Sequence, residues 1–93
     1  MNIVQAINDW LRRRLYRSRL RVLRCVARGE KTAADVMRDT GLSSGTAYAV
    51  LYVAQERGLV KLRVDPPVRE GGFSRYVYTI TDAGRDAIKE MES

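Results

Sequence analysis

The chain has 93 residues, 45% of them hydrophobic, and 17 Lys and Arg against 11 Asp and Glu give it a net charge of +6. That suits one folded domain with a modest core and excludes an intrinsically disordered chain. One cysteine and no histidine exclude an internal disulfide framework and any Cys/His zinc site, so no metal and no cofactor are expected.

The excess of arginine favours a polyanionic partner, nucleic acid first and an acidic membrane surface second. No apolar run approaches the roughly 20 residues needed to cross a bilayer, and no membrane association is expected. The positive charge is uneven. Arg12, Arg13, Arg14, Arg17, Arg19, Arg21, Arg24 and Arg28 crowd one segment, where Asp9 is the lone acid before Glu30. Taken singly, these arginines read as the solvated face of a helix.

In chain order, residues 2–15 read as an amphipathic helix with Ile3, Ile7, Trp10 and Leu11 on one side and Val4 and Leu15 beside them. The arginines at 12–14 fall in its last turn, where cations suit the helix dipole. The arginine-rich start looks superficially like a transit peptide. Asp9 and the seamless run into the domain argue against that, and the cytoplasm is expected. A break is expected near Tyr16–Ser18, with Ser18 as cap, so residues 1–16 form a leading helix and 17–93 the main domain. A second helix then runs to about Ala27, burying Leu20, Leu23 and Val26 with Val22 and Cys25 at its edges. Cys25 reads as an ordinary buried thiol. Gly29 ends this helix, and Glu30-Lys31 is a short extended link.

Thr32 with Asp35 three residues later makes a reciprocal cap for the next helix. Ala34, Val36 and Met37 supply its buried side, and Asp39-Thr40-Gly41 ends it, since a C′ residue with φ > 0 is most often glycine. Ser43 or Ser44 then caps a new helix after a turn too short for any inserted element. Ala47, Val50, Leu51 and Ala54 share its apolar side. Gly45, Ala49, Tyr52 and Glu56 point the other way, with Tyr48 and Val53 on the flanks. Gly58 stops the helix.

Leu59 to Val64 and Arg75 to Ile80 alternate in the strand manner. The second places Tyr76, Tyr78 and Ile80 on one face and Arg75, Val77 and Thr79 on the other. The stretch 65–74 between them holds two prolines and two glycines, which fits a long hairpin tip. Thr79-Ile80-Thr81-Asp82-Ala83-Gly84 leads into a final helix whose apolar side is Ala83, Ala87, Ile88 and Met91.

A short turn, a capped helix, a glycine stop and an immediate strand resemble the second helix of a helix-turn-helix entering its wing. The ordered series over residues 18 to about 91 is similar to winged-helix regulators of the MarR, ArsR and PadR kinds. The Thr81 junction most resembles PadR and MarR proteins. The fold this resemblance implies is mainly α with a small β-hairpin wing, a winged helix-turn-helix with an extra N-terminal helix. Glu30-Lys31 lies where such proteins often add a third strand to the wing sheet. The function it implies is sequence-specific binding of double-stranded DNA by a small homodimeric transcriptional regulator, without enzymatic activity.

The residues this implies for reading DNA are Ser43, Ser44, Gly45, Thr46, Tyr48, Ala49 and Tyr52 of the second helix. Lys31, Arg63, Arg69 and Arg75 would meet phosphates or a minor groove, with the arginines of 12–28 fixing register. Ile3, Ile7, Trp10 and Leu11, with Ile88 and Met91, would join two subunits. One departure from the family pattern matters. The outer face of the second helix has no Lys or Arg until Arg57, against bidentate Arg–guanine readout. A second reading therefore stays open, a protein-interaction module that uses the uncharged face bearing Tyr48 and Tyr52.

Overall fold

The computed structural model describes residues 2–93, without the side chains of Asn8 and Leu11. Its elements in chain order are α1 (Ile3–Ala27), α2 (Ala33–Thr40), α3 (Ser44–Glu56), β1 (Val60–Asp65), β2 (Arg75–Ile80) and α4 (Asp82–Glu92).

The break expected at Tyr16–Ser18 is absent. One helix of 25 residues runs from the Asn2 cap, whose side chain accepts from the Val4 amide, to Ala27. No glycine or proline interrupts it, and each of Tyr16, Arg17 and Ser18 tolerates a helical backbone. Tyr16 ties this region down by donating its hydroxyl to the Met91 carbonyl at 2.8 Å. Ser18 is buried within the helix and does not cap one. The change of pattern near residue 17 marks a change in what the helix faces. Every described side chain from Asn2 to Arg17 is exposed, whereas Val22, Leu23, Cys25 and Val26 are fully buried. Val22 and Cys25 thus lie at the centre of the packed face and Leu20 at its edge, the reverse of the expected order.

The core forms where α1 meets α2, α3 and the hairpin. Leu23 and Leu51 are its largest fully buried side chains, each contributing about 1.5–3 kcal/mol. On α2, Ala33, Val36 and Thr40 are buried and Ala34 is exposed, one position earlier than expected, because contacts at i, i+3 and i+7 start at the first helical residue. The reciprocal cap is present. Thr32 Oγ1 accepts from the Asp35 amide at 3.1 Å, and Asp35 Oδ2 accepts from the Thr32 amide at 3.0 Å. Gly41 takes φ 73° and donates its amide to the Met37 carbonyl, which turns the chain at once into the Ser43 cap of α3. Ala47, Val50, Leu51 and Ala54 face inward as their spacing requires.

The strands pair antiparallel from Val60↔Ile80 to Asp65↔Arg75. Lys31 adds a one-residue bridge to Tyr78, exchanging both backbone bonds, so the third strand shrinks to a single residue. At the close of the hairpin, Thr81 Oγ1 accepts from the Gly84 amide and sits 2.6 and 3.0 Å from the Gly58 and Leu59 carbonyls. A Cβ on Gly84 would collide with the Leu59 carbonyl and the Ile80 side chain. Gly84 therefore takes the buried place on α4 expected for Ala83, which is exposed. The whole is a winged helix-turn-helix whose leading helix is continuous with its first core helix.

Candidate nucleic-acid interface

The turn from α2 to α3 determines which side of α3 is free. With Ala47, Val50, Leu51 and Ala54 drawn into the core, Ser44, Gly45, Ala49 and Tyr52 are left in solvent. Tyr48 and Tyr52 are 54% and 64% exposed, so neither braces the helix by burying its ring. A Cβ built on Gly45 meets nothing within 4 Å, and the first turn of α3 offers open backbone to whatever approaches. Ser43 and Thr46 are less available. The Ser43 hydroxyl accepts from the Thr46 amide, and the two hydroxyls lie 3.1 Å apart. The face is uncharged through Gln55, and the acid Glu56 closes it.

The four cations expected to meet phosphate do not share one state. The Lys31 ammonium donates to Asp39 Oδ2 at 3.0 Å and is mostly covered. Arg63 donates to both oxygens of Glu30, at 2.6 and 3.0 Å, and to both of Asp65, at 2.7 and 3.2 Å. These bonds raise the guanidinium further above its ordinary range and hold the Glu30 and Asp65 carboxyls below theirs. Two acids on one arginine leave no net positive charge there for a phosphate. Arg69 and Arg75 differ: both are exposed, and neither joins an ion pair among the described residues. The hairpin tip carrying Arg69 also holds Val68 and Phe73 almost wholly in solvent, two apolar side chains that alternation did not single out.

The residues expected to join subunits also divide. Ile3, Ile7 and Trp10 are 75%, 52% and 57% exposed, while the Leu11 side chain lies outside the described residues. Ile88 and Met91 are half-buried against the core of their own chain, and the structure does not bring them to the N-terminal stripe.

Among the arginines of 12–28, which the sequence leads one to expect will fix register on phosphates, the structure gathers four into one cluster. Arg13, Arg14, Arg17 and Arg21 border a cleft with Trp10 and Leu42. The spacing 13, 17, 21 was visible in the sequence. The neighbouring turn residue, 21 positions beyond Arg21, was not.

Comparison with known proteins agrees with this architecture. The model of the IclR helix-turn-helix domain matches residues 20–63, a branch outside the three that the sequence motifs resemble. No curated protein matches the chain. A PadR-like transcription factor from Bacteroides fragilis superposes with a TM-score of 0.81 over 91% of this chain and 85% of that one, at 18% identity. A PadR family transcription regulator from Clostridium difficile R20291 gives 0.72 over 81% and 82%, also at 18% identity. Bacillus subtilis PadR, crystallised in complex with operator DNA, gives 0.68 at 16% identity over 77% of this chain but 44% of its own. These likenesses show the fold, a winged helix-turn-helix.

Proposed function

We propose that the chain is a sequence-specific DNA-binding protein, a small transcriptional regulator that works as a homodimer beside the genome in the cytoplasm. The observation that carries this reading is the outer face of α3. It stands clear of the core at the head of a helix-turn-helix, with an open first turn at Gly45 and exposed hydroxyls on Ser44, Tyr48 and Tyr52. The match to a helix-turn-helix model and the superposition on a protein solved with operator DNA support it.

In this reading the N-terminal half of α3 enters the major groove. Ser44 and Tyr48 exchange hydrogen bonds with base edges, and Ala49 meets a thymine methyl. Arg69 and Arg75 hold phosphates or a narrow minor groove, while Lys31 and Arg63, already paired, contribute little. Exposed Ile3, Ile7 and Trp10 join two copies, with Ile88 and Met91 largely taken up inside each one.

The test is a duplex titration at two salt concentrations. Binding at micromolar Kd or tighter is expected at low salt, weakening steeply as salt rises. With a target selected from random duplexes, Tyr48→Ala or Ser44→Ala should narrow the gap between target and random DNA. Arg69→Ala or Arg75→Ala should lower affinity for both about equally. Uniform loss from all four variants would remove base reading by α3. A chain that ignores duplex DNA at low salt would sink the proposal. The absence of any Lys or Arg on α3 would then favour the protein-interaction reading of Tyr48 and Tyr52.

A further inference from the structure

The geometry points to a second phosphate-binding site, an arginine ridge on α1 that we infer grips the DNA backbone beyond the reach of α3 and the wing. It rests on the DNA-binding reading above and assigns it a further contact. The ridge is Arg13, Arg14, Arg17 and Arg21, which with Trp10 and Leu42 border a cleft of about 480 Å³.

Three observations lead to a polyanion. First, the four arginines are exposed, and none pairs with a carboxylate among the described residues. Arg24, one turn further along α1, is instead paired with Glu92 at 2.8 Å. Second, the spacing is regular. Arg13, Arg17 and Arg21 recur every four residues, about 6 Å of helix each, and extend three guanidinium groups along one ridge, as a row of backbone phosphates requires. Third, two of the four are already oriented. The Arg21 guanidinium donates to the Thr40 carbonyl, a neutral partner that fixes the group and leaves its charge uncompensated. The Arg14 guanidinium lies over the Trp10 ring, 5.5 Å from its centroid, an arrangement that holds the cation without neutralising it.

The position of the ridge identifies which polyanion. Thr40 ends α2, and Leu42 lies in the turn that precedes the α3 cap. The cleft therefore abuts the N-terminal approach to the helix that reads bases, while the wing leaves from the opposite end of α3. A phosphodiester strand passing the first turn of α3 meets the ridge next. A second copy of this chain suits the ridge poorly, because a two-fold contact would bring eight unpaired guanidinium groups together. Ile3 and Ile7 lie in the turns before it and remain free for the subunit contact, and Trp10 stands at the boundary, bordering both the cleft and that apolar stripe.

The experiment compares the wild type with Arg13→Gln/Arg14→Gln/Arg17→Gln on two duplexes. One spans the selected target and the other extends it by about 10 base pairs on each side, one further turn. The Gln variant should lower the slope of log K against log salt by about 5, near 0.9 for each of the roughly six phosphate contacts that the two subunits lose. It should also lose the wild type's preference for the longer duplex. The ratio of target to random affinity should stay unchanged, because phosphate contacts carry no sequence information. The matching Lys variant, which keeps the point charges, should retain most of the slope, and each single Gln variant should remove about two units, one contact from each subunit.

An unchanged slope and length preference in the Gln variant would overturn the ridge and leave the α3 reading standing. A wild-type chain that binds no duplex at low salt would overturn both. Capture of the wild type, but not the Gln variant, by anionic phospholipid vesicles, with DNA binding unaltered, would transfer the ridge to a lipid surface and overturn the inference.

Discussion

Residues 3–17 and residues 18–27 form one unbroken helix and behave as two different objects. The second stretch buries Val22, Leu23, Cys25 and Val26 completely, while the first leaves Ile3, Ile7 and Trp10 more than half exposed. Backbone bonds are equally complete in both, so helicity does not distinguish them. An isolated helix of about 12–15 residues is marginal in water; the first stretch is held by its covalent continuation into the packed one and by the Tyr16–Met91 bond. Continuity of secondary structure is thus no guide to where a folded body ends.

The largest expected effect tests that division directly. Leu23→Ala should destabilise the body by about 2–5 kcal/mol, the range for a fully buried leucine whose cavity cannot collapse. Ile7→Asp with Trp10→Asp should leave the urea midpoint of dilute protein within about 0.5 kcal/mol of wild type, as for substitutions away from packed features. The same pair should abolish self-association by sedimentation at tens of micromolar protein. If the Asp pair unfolds the dilute chain as Leu23→Ala does, residues 3–17 belong to the core. If the wild type is monomeric at that concentration, the subunit contact is lost.

The two stretches also differ in how legible they were. Caps and glycine stops are local signals, and the chain declared them. Thr32 with Asp35, Gly41 and Gly58 sit where residue type alone placed them, and so do the four inward residues of α3. Of the two serines offered as the α3 cap, Ser43 is the one used, and Thr81 caps α4 at the junction that the family resemblance marked. The helix–helix turn that positions the candidate interface was therefore readable. What failed depended on partners distant in sequence. A polar run at 16–18 looked like a break because nothing local shows that Met91 accepts from Tyr16 or that Ser18 is covered. Arg63 looked like a free cation because Glu30, 33 positions away, is not adjacent in any periodic pattern, although its other partner, Asp65, stands two residues on along the same strand.

A smaller effect sharpens the contrast at the other end of the packed body. Gly84→Ala forces a Cβ against the Leu59 carbonyl, a backbone atom that cannot rotate aside. It should cost about 1–3 kcal/mol, in the manner of overpacking. Thr81→Ala should cost about 0.5–2 kcal/mol through the lost cap, and Thr81→Ser, which keeps the hydroxyl, should recover most of it. Urea midpoints would check the series. A Gly84→Ala chain as stable as wild type would mean that α4 does not close the hairpin as tightly as described.

The smallest effect concerns acid, and it separates α2 and the hairpin from residues 22–26. Bonds from Thr32 hold the Asp35 carboxyl below its ordinary value of 3.8, the Lys31 ammonium does the same to Asp39, and Arg63 does so to Asp65 and to Glu30, whose ordinary value is 4.5. A carboxyl depressed in the folded state stabilises it fully above the ordinary value, and that share disappears as pH falls through the lower, folded value. Stability should thus be level from pH 7 to 5 as far as these groups act, and decline below about 4.5. Each step should be small because all four groups reach solvent. Hydrogen exchange should show α2 and hairpin amides losing protection first, while Leu23 and Val26, in apolar surroundings, keep theirs. Asp35→Asn should remove part of the acid decline, since nothing is left to titrate at that cap. A decline beginning near pH 6 would contradict the assignment, because the chain has no histidine to titrate there.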